Sequence, residues 1–265
     1  MERPLILITN DDGYDAAGIL ALRDALDAFA DTVIVAPERQ QSAGGHAITL
    51  HKPVRLRELA PGHYWCSGTP TDCVYIGLHY VLDRKPALVI SGINDGLNIA
   101  DDITYSGTVA GAMEGLLMDV RAVAFSQDHR GTPNIVAAAA QAAMVTRWIL
   151  DNEAALPKEV LLNVNFPADV TLSTPWRLTR QGVRDYDRQV DEKHDPRGRP
   201  YYWIGGQYLG HCEESGADGT AVSDGFVSIC PLHLRLTSDA GMKAIEAIGI
   251  APHQREVTLT KEESP

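Results

Sequence analysis

Apolar positions along this chain come in two textures. Short unbroken runs rich in Ile, Val and Leu occupy residues 5–8, 32–35, 87–91, 122–126 and 160–166, and such runs suit strands buried on both faces. The stretches 17–29, 108–118 and 134–150 instead space their apolar residues as amphipathic helices do. Strand and helix in alternation predict an α/β fold, a mostly parallel sheet with helices on both faces. Between the second and third of these units, residues 46–50, 54–59 and 63–66 read as short strands. Residues 71–81 read as a helix capped by Thr69 with Pro70 at its first position.

After Pro167 the texture turns to Arg, Asp, Tyr and Gly. Candidate strands at 174–181, 200–204 and 225–229 suggest a C-terminal antiparallel arm rather than another strand-helix unit. Residues 185–199 are dense in charge and turn formers, as an exposed loop or a subunit contact would be. A terminal helix at 240–248 precedes a polar tail, 258–265, expected to be loose. The chain thus divides into a core, 1–167, and an arm with its terminal helix, 168–265, the latter expected to serve oligomerisation. No internal repeat or low-complexity tract interrupts it.

With 265 residues, 45% of them hydrophobic, the chain can fill a core of ordinary size. Its 23 basic and 35 acidic residues leave a net charge of -12, which opposes binding to a nucleic acid polymer or an anionic membrane. No run approaches 18 apolar residues, and Met1-Glu2-Arg3-Pro4 leads into the first strand without a signal-like segment; the cytoplasm is the expected location. Cys66, Cys73, Cys212 and Cys230 form no C-x-x-C pair. They are expected as buried free thiols, a Cys66–Cys73 disulfide being the alternative.

Candidate chemistry gathers where predicted strands end. Asn10-Asp11-Asp12-Gly13 follows the first strand, at the sheet edge where open α/β folds take their ligands. Either Gly13 closes a turn that lets both carboxylates converge on one cation, or this is an Asp-Gly turn with solvated acids. The loop after the second strand carries Ser42, Gly44, Gly45 and His46. Ser42 is a hydroxyl donor or an ordinary loop serine; His46 protonates a leaving oxygen or merely bonds within the fold. The third strand exits through Asn94, Asp95, Gly96, Leu97 and Asn98, where Asn94 can lend a carbonyl oxygen.

Asp11, Asp12, Ser42 and Asn94 would make an all-oxygen set suited to Mg²⁺, Mn²⁺ or Ca²⁺ rather than zinc. Two carboxylates cancel a divalent charge, so a phosphate dianion could approach despite the acidic chain. Ser106-Gly107-Thr108 begins a helix whose N-terminus can receive an anion, or is simply a capped helix start. Asp101 and Asp102 read as a solvated turn rather than a second metal site. The adjacent acids do not fit the haloacid-dehalogenase spacing, and no G-x-S-x-G elbow, P-loop or G-x-G-x-x-G follows a strand, which argues against a serine hydrolase or a Rossmann dehydrogenase.

Ordered blocks run along nearly the whole chain: Ile8-Thr9-Asn10-Asp11-Asp12-Gly13, Gly45-His46-Ala47-Ile48-Thr49, Gly68-Thr69-Pro70-Thr71-Asp72-Cys73, Ser91-Gly92-Ile93-Asn94, Ser106-Gly107-Thr108-Val109, Ala112-Met113-Glu114-Gly115, Asn163-Val164-Asn165 and Tyr201-Tyr202-Trp203. In this order they resemble the SurE family of stationary-phase survival proteins, metal-dependent 5′/3′-nucleotidases. The resemblance implies a Rossmann-like core with a C-terminal arm exchanged between subunits, hence a homodimer or homotetramer. It implies one divalent ion per subunit, Mg²⁺ or Mn²⁺, on Asp11, Asp12, Ser42 and Asn94, with nucleoside 5′- and 3′-monophosphates as substrates and short polyphosphate as a further candidate.

Asp11 or Asp12 is then expected to orient a water and accept its proton. Ser106 is expected to stabilise phosphoryl charge, with Asn10, Gly44, Gly45, His46, Asn98, Gly107 and Thr108 around the substrate. Asp95 and Leu97 depart from the family's Asn-x-Gly-Pro-Asn turn, and Phe226 and Cys230 replace Tyr and Thr in the arm. A non-catalytic metal-dependent nucleotide or phosphate sensor is the alternative function.

Overall fold

Nine strands form one twisted sheet whose first strand, β1 (Leu5–Thr9), is buried at every position. The computed structural model describes residues 3–186, 189–205, 208–211 and 214–249. In chain order β1 is followed by α1 (Ala17–Leu26), β2 (Asp31–Pro37), β3 (Leu56–Ala60), β4 (His63–Cys66) and α2 (Pro70–Ile76). Then come β5 (Leu88–Asp95), α3 (Gly107–Leu117), β6 (Ala122–Gln127), α4 (Ile135–Asp151) and β7 (Val160–Phe166). β8 (Trp176–Leu178), β9 (Arg184–Tyr186), β10 (Gln189–His194), β11 (Pro200–Gly205), β12 (Tyr208–His211), α5 (Asp218–Ser223), β13 (Val227–His233) and α6 (Asp239–Ile248) complete the chain.

The sheet order is β3-β4-β2-β1-β5-β6-β7-β13-β8. Its pairs β4-β2, β2-β1, β1-β5, β5-β6 and β6-β7 are parallel, and β3 runs antiparallel to β4 at one edge. β1 is flanked by β2 on one side and β5 on the other, so the order reverses between β1 and β5, the switch point where α/β sheets form a ligand crevice. Helices α1 and α4 pack together, as do α2 and α3, which buries both faces and explains the unbroken apolar runs. Ile6, Ile8, Ile34, Ile90, Phe125 and Phe166 fill the core beneath α1 and α4, with the two phenylalanine rings stacked at 5.8 Å.

The α/β architecture, parallel sheet and antiparallel C-terminal elements match the expectation. Four local expectations need correction. Residues 46–50 form no strand; the Thr69 hydroxyl donates to the Ala47 carbonyl at 2.7 Å and the Thr49 N–H to Asp72 at 2.8 Å, so this segment is tied to the start of α2 instead of a ladder. That start carries a complete capping box, Thr69 with Asp72. The helix expected at 71–81 ends at Ile76 and continues as a π turn over Gly77–Val81.

Residues 185–199 are not an irregular loop: β10 pairs antiparallel with β11, joined by a turn in which Asp195 accepts the N–H groups of Arg197 and Arg199 at 2.8 and 2.9 Å. Both faces of that hairpin are exposed, so the charge that suggested a loop costs nothing in a strand. Finally β8 is shorter than the expected 174–181 and runs parallel to β13 within the main sheet. Cys66, Cys73 and Cys230 are buried and free; Cys212 and the tail 258–265 lie outside the described residues.

By internal packing the chain divides into a unit up to Leu232 and a second from His233. The described part of the second is α6, capped by Ser238, which accepts the Gly241 N–H at 3.0 Å, and closed by Gly249 in the left-handed region.

Candidate active site

The turn after β1 is held by Asn10, wholly buried, whose amide donates to the Gly13 carbonyl at 2.8 Å and accepts the Gly13 N–H at 3.1 Å. Gly13 takes a φ of 118°, open to glycine and strained for other residues. The reversal sends the next two side chains toward the same cleft. Asp11 is only 5% exposed. The Thr108 hydroxyl donates to it, and the Thr108 backbone N–H is also directed at it. Burial raises its carboxyl to about 6 against the lowering effect of those donors, with the charge of Asp12 adding to the rise. Asp12 accepts the Asp95 N–H at 3.0 Å. Burial pushes its carboxyl up as well.

The loop after β2 hangs over this turn. The Gln41 N–H donates to the Asp11 carbonyl at 2.7 Å and the Gly45 N–H to the Tyr105 carbonyl at 3.0 Å, which brings Ser42 to the cleft. From the other side, β5 slips by one residue against β6 between Ser91 and Asn94, a bulge that re-aims the end of the strand. Asn94 donates its amide N–H to the Gly96 carbonyl at 2.7 Å, which turns its oxygen the other way.

Asn98 is clamped on several sides. Its N–H reaches Asn165 at 2.9 Å, its amide donates to Ser126 at 2.8 Å, and its carbonyl accepts from Asn163 and Asn165 at 2.8 and 3.1 Å. Ser106 caps α3 by accepting the Val109 N–H at 3.0 Å. A Cβ on Gly107 would sit 2.9 Å from the Cβ and Oδ2 of Asp11, so the start of α3 rests directly on the first acid because residue 107 has no side chain.

These elements enclose a cleft of about 350 Å³. Asp11, Asp12, Ser42, Asn94, Asn98 and Ser106 all line it, and no Lys or Arg does. Other expected positions lie elsewhere. Asn10 is consumed in shaping the turn, and Thr108, wholly buried, spends its donors on Asp11. Gly44, Gly45 and Gly107 are off the lining, the last packed against Asp11. His46 is also off it, its Nε2 meeting the buried carboxylate of Glu114 at 2.9 Å.

Asp102, expected in a solvated turn, is half-buried in a 3-10 turn, lines the cleft and pairs with Arg184. Gln40 and Tyr105 are further lining residues that the residue-by-residue reading did not single out. Asn163 and Asn165 carried a signal, two amides at alternate positions of an apolar strand.

Two carboxylates, a hydroxyl and an amide oxygen at one cleft, with no basic side chain among them, have the donor chemistry of a hard divalent cation. Among the described residues no three His, Cys, Asp or Glu side chains gather as a metal group. A cation here would take two charged ligands and complete its shell with neutral oxygens and water.

A model of the family described as Survival protein SurE matches residues 6–188. The 5'-nucleotidase SurE of Syntrophotalea carbinolica is 50% identical over 238 residues, 88% of this chain and 93% of that protein. The 5'-nucleotidase SurE of Geobacter metallireducens is 48% identical over 257 residues, 96% and 99% of the two chains. Among solved structures, the SurE protein from Aquifex aeolicus superposes with a TM-score of 0.82 at 41% identity, covering 92% of this chain and 99% of that one. The sheet that carries the cleft and the sequence that builds it lead to one conclusion: the chain belongs to the SurE survival-protein family.

Proposed function

We propose that the chain is a divalent-metal-dependent phosphomonoesterase that hydrolyses nucleoside 5′- and 3′-monophosphates to nucleoside and phosphate. The observation that carries this reading is the convergence of Asp11, Asp12, Ser42 and Asn94 on one cleft beside the capped start of α3. The names of the relatives, 5'-nucleotidases, favour it.

Asp11, Asp12, Ser42 and Asn94 would hold Mg²⁺ or Mn²⁺, one ion per subunit, which when bound polarises phosphoryl oxygens and acidifies water. Asp12, the more exposed acid, orients the attacking water and accepts its proton, its second oxygen anchored by the Asp95 N–H at 3.0 Å. Asp11 is fixed by Thr108 and acts as the rigid member of the pair. The Ser106 hydroxyl, at the capped start of α3 on the cleft lining, faces equatorial phosphoryl oxygens as charge builds there.

Self-association through the C-terminal elements, as a dimer or tetramer in the cytoplasm, belongs to the same reading. Tyr202, Trp203 and Ile204 stand exposed on β11, 57%, 62% and 91% respectively, and support it. No helix among the described residues is long and apolar enough to cross a membrane.

The test is a phosphate-release matrix on chelator-stripped protein: Mg²⁺, Mn²⁺ and Ca²⁺ against adenosine 5′- and 3′-monophosphates and short polyphosphate. Release with Mg²⁺ or Mn²⁺, and a loss of at least about 100-fold in Asp12→Asn, are expected. Nucleotide binding without release would mark a sensor and overturn the catalytic reading.

A further inference from the structure

We infer that Tyr105 is the platform on which the base of the substrate stacks, so the cleft selects nucleotides over other phosphate esters by a ring contact beside the phosphate subsite. The inference rests on the phosphomonoesterase reading of the same cleft. Tyr105 lines the cleft, is the sole aromatic residue among those that do, and is 66% exposed. Its hydroxyl has no hydrogen-bond partner and its ring no aromatic or cationic partner among the described residues. A large half-apolar ring left bare inside a polar cleft loses favourable burial unless a ligand covers it.

Its position is set from two sides. The Tyr105 N–H donates to the Asp102 carbonyl at 3.0 Å and its own carbonyl accepts the Gly45 N–H at the same distance, so the backbone is pinned while the ring stays free. Ser106, which caps α3, is the next residue. Neighbouring Cα atoms lie about 3.8 Å apart, and a tyrosine ring extends several ångströms from its own Cα. A molecule with a phosphate at the start of α3 therefore has the ring within the span of one nucleotide.

The rest of the rim agrees. Asp95 and Asp102 line it, and the lining contains no basic residue, which disfavours a ligand carrying further negative charge at its far end. A neutral aromatic body suits that place. Gln40, exposed on the same lining, offers both a donor and an acceptor to the polar edge of any base. Stacking is tolerant of base identity because every base has a π-face, so Tyr105 selects for a base without choosing among them.

Calorimetric binding and phosphate release are measured with adenosine 5′-monophosphate and with ribose 5-phosphate, which lacks the base, on parent, Tyr105→Phe and Tyr105→Ala. The parent and Tyr105→Phe should prefer the nucleotide. In Tyr105→Ala that preference should fall by about ten- to a hundredfold, chiefly through KM and Kd. An equal loss on both ligands, or a preference that survives in Tyr105→Ala, overturns the inference. If the parent binds both ligands but releases phosphate from neither, the catalytic reading fails, and the binding preference still decides the role of Tyr105.

Discussion

At the scale of single residues, the site holds two acids in a place that disfavours their charge. Asp11 titrates at about 6 in the fold and 3.8 as a free side chain. Because burial raises the folded value, the contribution of Asp11 to stability is full below pH 3.8, is lost as pH rises toward 6, and stays lost above. Asparagine is neutral throughout. Asp11→Asn is therefore expected to match the metal-free parent near pH 3.5 and to exceed it at pH 7.5 by at most about 3 kcal/mol, read by urea unfolding at the two pH values. Mn²⁺ should narrow or reverse the gap at pH 7.5, since the carboxylate pair binds the ion more tightly than one carboxylate does.

The meeting of Asp11, Asp12, Ser42 and Asn94 at one cleft was legible in the sequence because the acids follow β1, Ser42 lies in the loop after β2 and Asn94 stands at the end of β5, and strand ends converge in this class of sheet. Thr108 was legible only as part of a helix start. Its hydroxyl turns back to an acid 97 positions earlier, a contact fixed by how closely α3 settles on the first turn. Nor does local pattern show that Asn98 is held by three residues 28, 65 and 67 positions away.

Among elements, one buried side chain joins the C-terminal part of the chain to the cleft rim, beside the contacts that Gln181 and Arg184 make with the same turn. Asp218, the first residue of α5, is wholly buried. It accepts the N–H groups of Ala100 at 2.9 Å, Gly182 at 3.0 Å and Gly219 at 2.8 Å. Ala100 opens the turn that carries Asp102 and leads to Tyr105. Asp218→Ala leaves those donors buried without partners, and a loss of about 3 kcal/mol or more in denaturant unfolding is expected. Hydrogen exchange should rise first at residues 100–105 and 180–182; protection there equal to the parent would contradict the link.

The strand-helix alternation of the first 166 residues was readable because buried parallel strands and amphipathic helices carry different periods. The later elements were harder. β10 faces water on both sides, so no period distinguishes it from a loop, whereas the aromatic run of β11 was readable as a strand; β8, three residues long, is too short for its bounds to be read.

Taken whole, the molecule pairs a negative net charge of -12 with a cleft lined by acids, an arrangement that would repel phosphate esters unless a cation intervened. The exposed β10–β11 hairpin is where a second copy would add burial. If the parent self-associates as proposed, Ile204→Asp is expected to lower its mass toward the monomer in light scattering, with an unchanged helical signal in circular dichroism; a monomeric parent, or an unaltered mass, would contradict association through this hairpin.

The central claim, that Asp11, Asp12, Ser42 and Asn94 hold one divalent cation, is tested most directly by titrating Mn²⁺ into chelator-stripped protein and counting bound ion by electron paramagnetic resonance. The account predicts one ion per chain in the parent and a dissociation constant raised at least about tenfold in Asp12→Asn. The same affinity and stoichiometry in both proteins would contradict it.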